Sequence, residues 1–506
     1  MARRNGSAGA TQPVIVGVGQ VANKDPDRLV HPVELMAEAA RRAAGDAGAD
    51  VLPLVAAVHA APMTVYTDDD ASAMVAERLG LAARQRMQWS YSGAAPQTHL
   101  GEICRQIAAG EIDAGLAVGG VADASVRNAR RLGVEPPAPP TVSWSDAGVG
   151  GGGLRQPTGQ HAGKPSFIAE GAAGAALPTA MFALIDSAIA GAEGRTPDEH
   201  RRHLGRLLHP FTEVAALHPD LAWNAQVRSA EEISSISPAN RAVAEPYTKL
   251  MCSFPTVDLA AAVLVVSSDV ADRLGIPQSQ RVYPWTVAAA SEAGPPSLRL
   301  RIDRSQALDS IAAHALEFAA SAQARIGAYD LYSCFPAAVE LAMSAFGLGP
   351  DDLAPLTLTG GLPYFGGPGA SYVLHSIVCA VERCREEPSD LAAVVGVGGA
   401  VQNFSVGLYG SDPGPGFASW TAPDLEAEIE VAHSADGPAL VEAATVLHDR
   451  DDGPVSAPVL ARLPDGRRVG ARAADRELPK SLSGGSLVGA TVELFTDGKR
   501  VWYTPA

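Results

Sequence analysis

The sequence indicates an α/β protein built from two similar halves, followed by a small all-β domain. The first observation is a glycine-rich stretch at 360–375, which lies between a β-like run at 356–358 and a helical pattern and so forms a strand-to-helix loop. Such a loop directs backbone N–H groups at an anion or a developing oxyanion. An earlier stretch at 93–96 has the same plan, and similar segments follow each loop, at 110–120 and 389–399. Short alternating segments near the C-terminus predict the all-β domain.

Composition is typical of a folded protein and narrows its partners. The 506 residues are 47% hydrophobic and 19% charged, which suits several domains with a large core. The net charge of −17 argues against nucleic acid or an anionic membrane as the main partner, since both need a basic surface. An anionic small ligand would need a local basic patch.

The cysteines and the N-terminus favour a reducing cytoplasm. Five cysteines without CxxC spacing indicate neither a disulfide framework nor a zinc site. No apolar run follows the two N-terminal arginines, and no later run approaches the ~20 residues of a membrane span. We therefore expect a cytoplasmic protein with no bound metal and no membrane span.

The first half opens with a buried strand that contains a GxGxxA match, from Gly17 to Ala22. A dinucleotide fingerprint needs a helix to begin inside its glycines, whereas Pro32 delays the first helix to 33–44. Nicotinamide binding is therefore not expected. The other predicted elements of this half are strand 55–60, helix 71–79, strand 87–92, a helix from Pro96, strand 116–118 and strand 258–266.

A long excursion separates the halves. Prolines at 136–140 and a glycine run at 148–153 mark a loop region, and 177–245 reads as mainly helical. The second half then repeats the plan of the first. Its predicted elements are strand 282–287, helix 307–326, strand 330–332, helix 337–346, helix 372–385, strand 392–396 and strand 404–409.

Beyond a linker, the chain alternates without long helices and predicts an antiparallel barrel of OB type. Asp465-Gly466 and Asp497-Gly498 are expected at hairpin turns. The predicted strands are 428–433, 440–448, 455–462, 467–472, 487–495 and 500–504. The predicted domains are the N-terminal half at 13–135 and 247–275, a loop domain at 136–246, the C-terminal half at 276–410, a linker at 411–427 and the barrel at 428–506.

With this organisation, residues 13–410 resemble the thiolase superfamily, most closely the sterol-carrier-protein type of thiolase and its thiolase-like relatives. The stretches that carry the resemblance are Pro32-Val-Glu-Leu-Met-Ala-Glu-Ala-Ala, the segment 110–120, Glu245-Pro-Tyr-Thr-Lys-Leu-Met-Cys252, Tyr332-Ser-Cys-Phe335 and Gly366-Gly-Pro-Gly-Ala-Ser371. The resemblance implies a five-layered αβαβα fold, coenzyme A thioesters as ligands and, commonly, a dimer.

The resemblance also locates the catalytic positions of the family, and this chain departs from them. The nucleophilic cysteine belongs at the start of the helix after the third strand, where the helix N-terminus lowers its pKa. That position is Gly93, beside Ser92. The histidine of His-Asp-Cys-Phe falls on Tyr332, and the histidine of Gly-His-Pro falls on Gly367. Of this set, only Cys334 remains.

Losing a nucleophile or its base from a concerted site costs on the order of a million-fold in turnover in a well-studied protease. We therefore expect a thiolase homologue that binds coenzyme A or an acyl-CoA but lacks thiolase activity. The predicted ligand contacts are Ser92, Gly93, Gly366, Gly367, His375, Arg202 and Arg206. His375 has a structural alternative, a bond to a backbone carbonyl, and the two arginines fit a solvated helix face equally well. Cys334 is either an acid/base group or a small buried residue.

Three other functions stay open at this stage. Ser92 lies in a small-x-Ser-x-small run that is loosely similar to the nucleophile elbow of serine hydrolases. The alternative is that Ser92 caps the following helix, a role that needs no histidine or acidic partner. Tyr332 and Tyr372 are expected to meet at the pocket floor, where a phenol can act as an acid or a base. This arrangement resembles that of thiolase-like acyl-CoA aldolases, whose partner is a separate OB-fold protein. Alternatively, both tyrosines fill the space that larger catalytic groups occupy in the family. The fused barrel could recruit a protein partner. Residues 84–89, at the usual dimer strand, carry arginines and glutamines that blunt a sheet edge, so a monomer is possible.

Overall fold

A computed structural model describes residues 11–67, 69–139, 169–349, 352–498 and 500–506. The described residues form two mixed sheets of five strands, helices that separate and cover them, and a closed barrel of five strands. This architecture confirms the predicted fold class. The glycine run at 148–153 lies outside the described residues.

The helices and strands have the following bounds. The helices are α1 (Pro32–Ala47), α2 (Ala71–Arg78), α3 (Ala95–Ala108), α4 (Asp123–Leu132), α5 (Ala169–Ala173), α6 (Pro178–Ala192), α7 (Pro197–Ala216), α8 (Ala230–Ser234), α9 (Ser268–Arg273), α10 (Gln306–Ser321), α11 (Pro336–Phe346), α12 (Tyr372–Glu386) and α13 (Leu478–Leu482). The strands are β1 (Pro13–Ala22), β2 (Ala57–Ala60), β3 (Gln85–Gln88), β4 (Ala114–Ala122), β5 (Ala242–Ala244), β6 (Tyr247–Thr248), β7 (Asp258–Ser267), β8 (Tyr283–Ser291), β9 (Ile326–Asp330), β10 (Leu391–Gly398), β11 (Asn403–Gly410), β12 (Ala418–Thr421), β13 (Gly437–Ala444), β14 (Leu447–Asp449), β15 (Gly453–Ser456), β16 (Val459–Arg462), β17 (Arg468–Ala473), β18 (Thr491–Asp497) and β19 (Arg500–Pro505). Among the helices of the described ranges, none combines the length and the apolar character needed to cross a membrane.

The two sheets share one topology, which confirms the predicted duplication. The first sheet has the order β1-β7-β4-β2-β3, and the second has the order β12-β8-β11-β10-β9. The order β1-β7-β4-β2 in the first sheet corresponds to the order β8-β11-β10-β9 in the second. The sheets differ at their edges, because β3 extends the first sheet beyond β2 whereas β12 extends the second beyond β8.

The segment equivalent to β3 in the second half is not a strand, so the prediction for 356–358 is wrong for these described residues. The segment still runs beside the end of β9, since Leu331 N donates to Leu356 O at 3.0 Å. The reason is a side chain. The Asp330 carboxylate accepts from the N–H groups of Leu358 and Thr359, at 2.7 and 2.9 Å, and so diverts them from a sheet ladder. The neighbouring strand ends at Asp330, earlier than predicted.

Layering follows from the contacts of the helices. Helices α3 and α12 contact strands of both sheets and form the middle layer, whereas α1 covers the first sheet and α10 covers the second. The glycines of the GxGxxA match lie inside β1. A side chain at Gly17 or Gly19 would overlap backbone atoms of Ala43 or Ala39 in α1. These glycines therefore allow a strand and a helix to pack closely.

The C-terminal barrel closes in the order β13-β16-β17-β19-β18. Five of the six predicted segments contribute strands to it or beside it, but 428–433 forms only one bridge, from Val431 to Arg468. The segment bonds to both the barrel and the α/β body. On the barrel side, Ala432 N donates to Arg468 O at 2.8 Å, and Arg468 N donates to Glu430 O at 2.9 Å. Glu428 N donates to Leu298 O at 3.0 Å, and the Glu428 carboxylate accepts from Leu300 N at 2.9 Å.

One buried arginine fastens the barrel to the body. Arg468, in β17, is 0% exposed and pairs with Glu442 of the barrel at 2.7 Å. Its guanidinium also donates to the carbonyls of Ser297 and Arg299 in the body, at 2.8 and 2.6 Å. A second contact comes from Glu245 in the body, whose carboxylate accepts from Gly484 N at 2.8 Å. The barrel is thus a fixed part of the described chain.

We predict that Arg468→Met destabilises the protein by about 3 kcal/mol, because the buried carbonyls of Ser297 and Arg299 lose their donor and Glu442 keeps only Arg462 as a partner. Chemical denaturation measures this as a fall in the unfolding midpoint, and limited proteolysis should release the barrel first. The matched control is the adjacent Arg467→Met. Its ion pair with Asp465 is exposed, so no measurable change is expected. Equal stability of the two variants would contradict the assigned role.

Candidate functional site

A cavity of about 550 Å³ opens where the carboxyl ends of β3, β9 and β10 meet the N-terminal ends of α3 and α12. Both halves of the duplicated body contribute to it, and the helical excursion covers one side. Most of its lining comes from segments 91–93, 177–182, 252–255, 332–335 and 397–399, with single residues of the glycine loop. The predicted strand-to-helix loops therefore converge on one cavity.

Asp330, at the end of β9, fixes the two loops of the second half relative to each other. Its buried carboxylate accepts from two backbone N–H groups of the glycine loop and from the hydroxyls of Thr357 and Thr359, at 3.2 and 3.0 Å. Directly after Asp330, the chain enters the segment that holds Tyr332 and Cys334. The same carboxylate thus positions the glycine loop and the start of this cavity wall.

Gly93 and Tyr332 meet at the start of α3. A Cβ added to Gly93 would lie 2.6 Å from the Tyr332 hydroxyl oxygen and closer still to the carbonyl oxygen of Val397. Two loops of the second half therefore occupy the space that a side chain at position 93 needs. Position 367, where the resemblance implies a histidine, is similarly confined, because an added Cβ would overlap Ser253 Oγ.

Burial favours the protonated forms of Tyr332 and of the two cysteines in these walls. Burial raises the pKa of Tyr332 well above its ordinary value, with smaller effects from Cys334 and Tyr91. Burial also raises the pKa of Cys334, and it raises the pKa of Cys252 to about 12. Cys334 and Cys252 both line the cavity, but as neutral thiols they are poor nucleophiles.

Tyr372 does not reach the cavity, so the expectation that both tyrosines form its floor is corrected. Its ring contacts Tyr332 edge-on, with 5.6 Å between centroids, but it is fully buried. The Tyr372 hydroxyl instead lies 2.6 Å from Thr359 Oγ1, within the network of Asp330. His375, one turn further along α12, is also buried, with Nδ1 2.6 Å from Gln20 Oε1, and burial lowers its pKa to about 3.

Of the other predicted ligand contacts, some line the cavity and some do not. Ser92 and Gly367 line the cavity, whereas Gly366 does not. Ser92 Oγ accepts from Ala94 N at 3.3 Å in the first turn of α3, and no histidine or carboxylate bonds to it in the described part of the chain. Arg202 and Arg206 are exposed on α7, away from the lining. The serine-hydrolase alternative and the arginine contacts therefore lack support from this geometry.

Several lining residues were not identified from the sequence, above all Asp123 and Thr64. Asp123 is the first residue of α4, directly after the buried strand β4, and Thr64 Oγ1 donates to its Oδ2 at 2.6 Å. An ionisable residue at the carboxyl end of a buried strand is a usable signal, and it was available in the sequence. Tyr91, 63% exposed, completes this side of the cavity.

The chemistry of the lining suits a thin neutral chain better than a phosphate. Among the described lining residues there is no lysine, arginine or histidine, and Asp123 is the one carboxylate. The N-terminal end of α3 also faces this cavity, and its helix dipole favours developing negative charge there.

A separate polar cluster is the one described group with the residue types of a metal site. Asp186, His200 and Glu340 offer ligand atoms within 4.8 Å of one another. However, Arg195 lies 2.7 Å from His200 Nδ1 and can only donate, so the imidazole proton is on Nε2 and points at Asp186, at 2.6 Å. The cluster is therefore a buried hydrogen-bond network, in which burial and Asp186 raise the pKa of Glu340 to about 7.

Comparisons with known proteins agree with this architecture. The family described as thiolase-like protein type 1 additional C-terminal domain matches residues 424–499. A search of curated proteins found no match. The crystal structure of a monomeric SCP2-thiolase-like protein type 1 (STLP1) from Mycobacterium smegmatis is similar, with a TM-score of 0.80 and 29% identity over 98% of this chain and 99% of that chain.

Two more distant structures share the fold. The Acat5 thiolase from Ascaris suum, in complex with coenzyme A, has a TM-score of 0.54 and 12% identity over 79% of this chain and 99% of that chain. The Ltp2-ChsH2(DUF35) aldolase has a TM-score of 0.54 and 19% identity over 78% of this chain and 97% of that chain. The duplicated body, the layered helices, the similarity to the Mycobacterium smegmatis protein and the match at 424–499 together show a thiolase-like fold with the additional C-terminal domain of type 1.

Proposed function

We propose that this thiolase-like protein binds coenzyme A thioesters in the cavity at the start of α3 and does not catalyse thiolysis. The observation that carries the proposal is the crowding at Gly93. A nucleophilic side chain there would overlap the Val397 carbonyl and the Tyr332 hydroxyl, so neither a cysteine nor a serine fits without rearrangement of two loops. The cavity beside it is nevertheless retained.

Support for a thioester ligand comes from the body rather than from any single contact. The helix N-terminus, the glycine loop and the neutral lining are preserved around a cavity of about 550 Å³. The Ascaris suum thiolase, which has the same fold, is in complex with coenzyme A. An open cavity beside a position without a nucleophile favours ligand binding over thiolysis.

A monomer is the quaternary state that we propose. Strand β3 is at the edge of the first sheet, and it includes Arg86 between two glutamines, which disfavours pairing with a second copy. The similar Mycobacterium smegmatis protein is described as monomeric. A cytoplasmic location stays a prediction.

We predict that the purified chain binds coenzyme A and that Thr179→Trp weakens the binding at least tenfold. Thr179 lines the cavity near its exposed side, so an indole there occupies the path of the pantetheine arm. Isothermal titration calorimetry with coenzyme A and propionyl-CoA measures the change. The matched control is Ala176→Trp, an exposed neighbour that does not line the cavity, and its affinity should equal that of the natural chain.

The binding proposal fails if neither ligand binds at millimolar concentration. It also fails if both tryptophan variants bind as the natural chain does, since the ligand would then lie elsewhere.

A second function, retro-aldol cleavage of a 3-hydroxyacyl-CoA, is favoured by one observation. The Tyr332 hydroxyl faces the cavity, and no hydrogen bond to it is found within the described residues. A protonated phenol in that position can donate to the carbonyl of a bound thioester as C–C cleavage turns it into an enolate. The similar fold of the Ltp2-ChsH2(DUF35) aldolase makes this chemistry a reasonable candidate.

The test of this second function uses 3-hydroxy-3-methylbutyryl-CoA, which retro-aldol cleavage converts to acetone and acetyl-CoA. We expect Tyr332→Phe to slow product formation about 100-fold, the lower range for loss of one general acid. Tyr364→Phe is the matched control, because that buried tyrosine does not line the cavity. Absence of acetone with the natural chain, or an unchanged rate in Tyr332→Phe, would remove this candidate.

A further inference from the structure

Among the described residues that line the cavity, one group can accept a proton near neutral pH, and nothing in the resemblance to thiolases assigns it. Five described lining residues are titratable: Tyr91, Asp123, Cys252, Tyr332 and Cys334. Four of them are phenols or thiols, which are acids of ordinary pKa above 8. Burial raises the pKa of Tyr332 and of the two thiols further. By residue type alone, only the carboxylate of Asp123 is a base at neutral pH.

The fold holds this carboxylate firmly. Asp123 begins α4 at the end of β4, and its backbone N–H donates to Val257 O at 3.0 Å. Thr64 Oγ1 donates to one carboxylate oxygen at 2.6 Å, and Thr64 also lines the cavity. A bond of that kind orients a carboxylate without neutralising it, so the group is positioned as well as ionisable.

The carboxylate also lies beside the glycine loop. A Cβ added to Gly369 would lie 2.9 Å from Thr64 Cγ2 and 3.0 Å from the Tyr91 hydroxyl oxygen, so the loop touches both neighbours of Asp123. Burial raises the pKa of Asp123, and nearby Asp258 adds to this effect, while the bond from Thr64 opposes it. A carboxylate with a raised pKa is a stronger base than one in water.

From this arrangement we infer that Asp123 is a general base that removes a proton from the α-carbon of an acyl-CoA thioester bound in the cavity. The inference rests on the proposed binding of such thioesters. The α-carbon C–H bond breaks, an O–H bond forms on Asp123, and the electron pair moves to the thioester oxygen as an enolate. The N-terminal end of α3 stabilises that charge. Return of a solvent proton to carbon regenerates the thioester and the carboxylate, so no co-reactant is required.

The experiment uses the full chain in D2O with propionyl-CoA and follows deuterium at the α-carbon by mass spectrometry and proton NMR. We expect exchange above the rate in buffer, and an Asp123→Asn rate at least about 100-fold lower. Asp123→Ala should also be inactive and should regain exchange when formate is added, which a purely structural role would not give. Asp27→Asn, at an exposed position outside the lining, should exchange at the natural rate.

Calorimetry with propionyl-CoA on the same samples separates the two ways of failing. If the natural chain binds propionyl-CoA but does not exchange it, or if Asp123→Asn exchanges at the natural rate, the assignment of Asp123 is overturned and the binding function stands. If propionyl-CoA does not bind, the proposed function fails and this inference fails with it.

Discussion

The close approach of Tyr332 and Val397 to the backbone at Gly93 is the constraint on which the site depends. It joins the two halves of the duplicated body at the start of α3, since Gly93 belongs to the first half and the other two residues to the second. It needs glycine, because any Cβ would overlap two neighbours. It also removes the room for a nucleophile at the point where the helix dipole would activate one. The same contact thus joins the two halves at the cavity wall, and it is the basis of our proposal that the chain does not catalyse thiolysis.

Buried hydrogen bonds and ion pairs hold the barrel against the α/β body. Arg468 is entirely buried and bonds to carbonyls of the body, while Glu245 of the body reaches back to the barrel. A partner recruited by the barrel would have to use its other faces, and that role stays a prediction. The buried network of Asp186, His200 and Glu340 similarly joins α6, α7 and α11, and the first residues of α6 line the cavity.

Much of the fold could be predicted from the sequence because it depends on local patterns. Buried strands, glycine loops and the repeated order of elements identified the duplicated body, and Asp-Gly turns identified the barrel. The errors arose where a side chain from elsewhere in the fold overrides local preference. Asp330 diverts the backbone N–H groups of Leu358 and Thr359 from a strand, and the bonds of Glu428 to Leu298 and Leu300 divide 428–433 between the barrel and the body.

The site was only partly predictable for the same reason. Motif positions placed Ser92, Gly93, Tyr332, Cys334 and Gly367 on the cavity, but sequence distance could not show that the hydroxyl of Tyr372 turns toward Thr359. Asp123 could have been found from its place after a buried strand, but its importance becomes clear only when the other described titratable residues of the lining are seen to be phenols and thiols.

The most direct measurement of the central claim is thiolysis by the purified chain, with acetoacetyl-CoA and free coenzyme A as substrates and an active thiolase as the positive control. With no side chain at position 93 and neutral thiols at Cys252 and Cys334, the account predicts no acetyl-CoA above the rate without protein. Saturable turnover that disappears in Cys334→Ser or Cys252→Ser would contradict it, because another thiol would then do the work of the missing nucleophile.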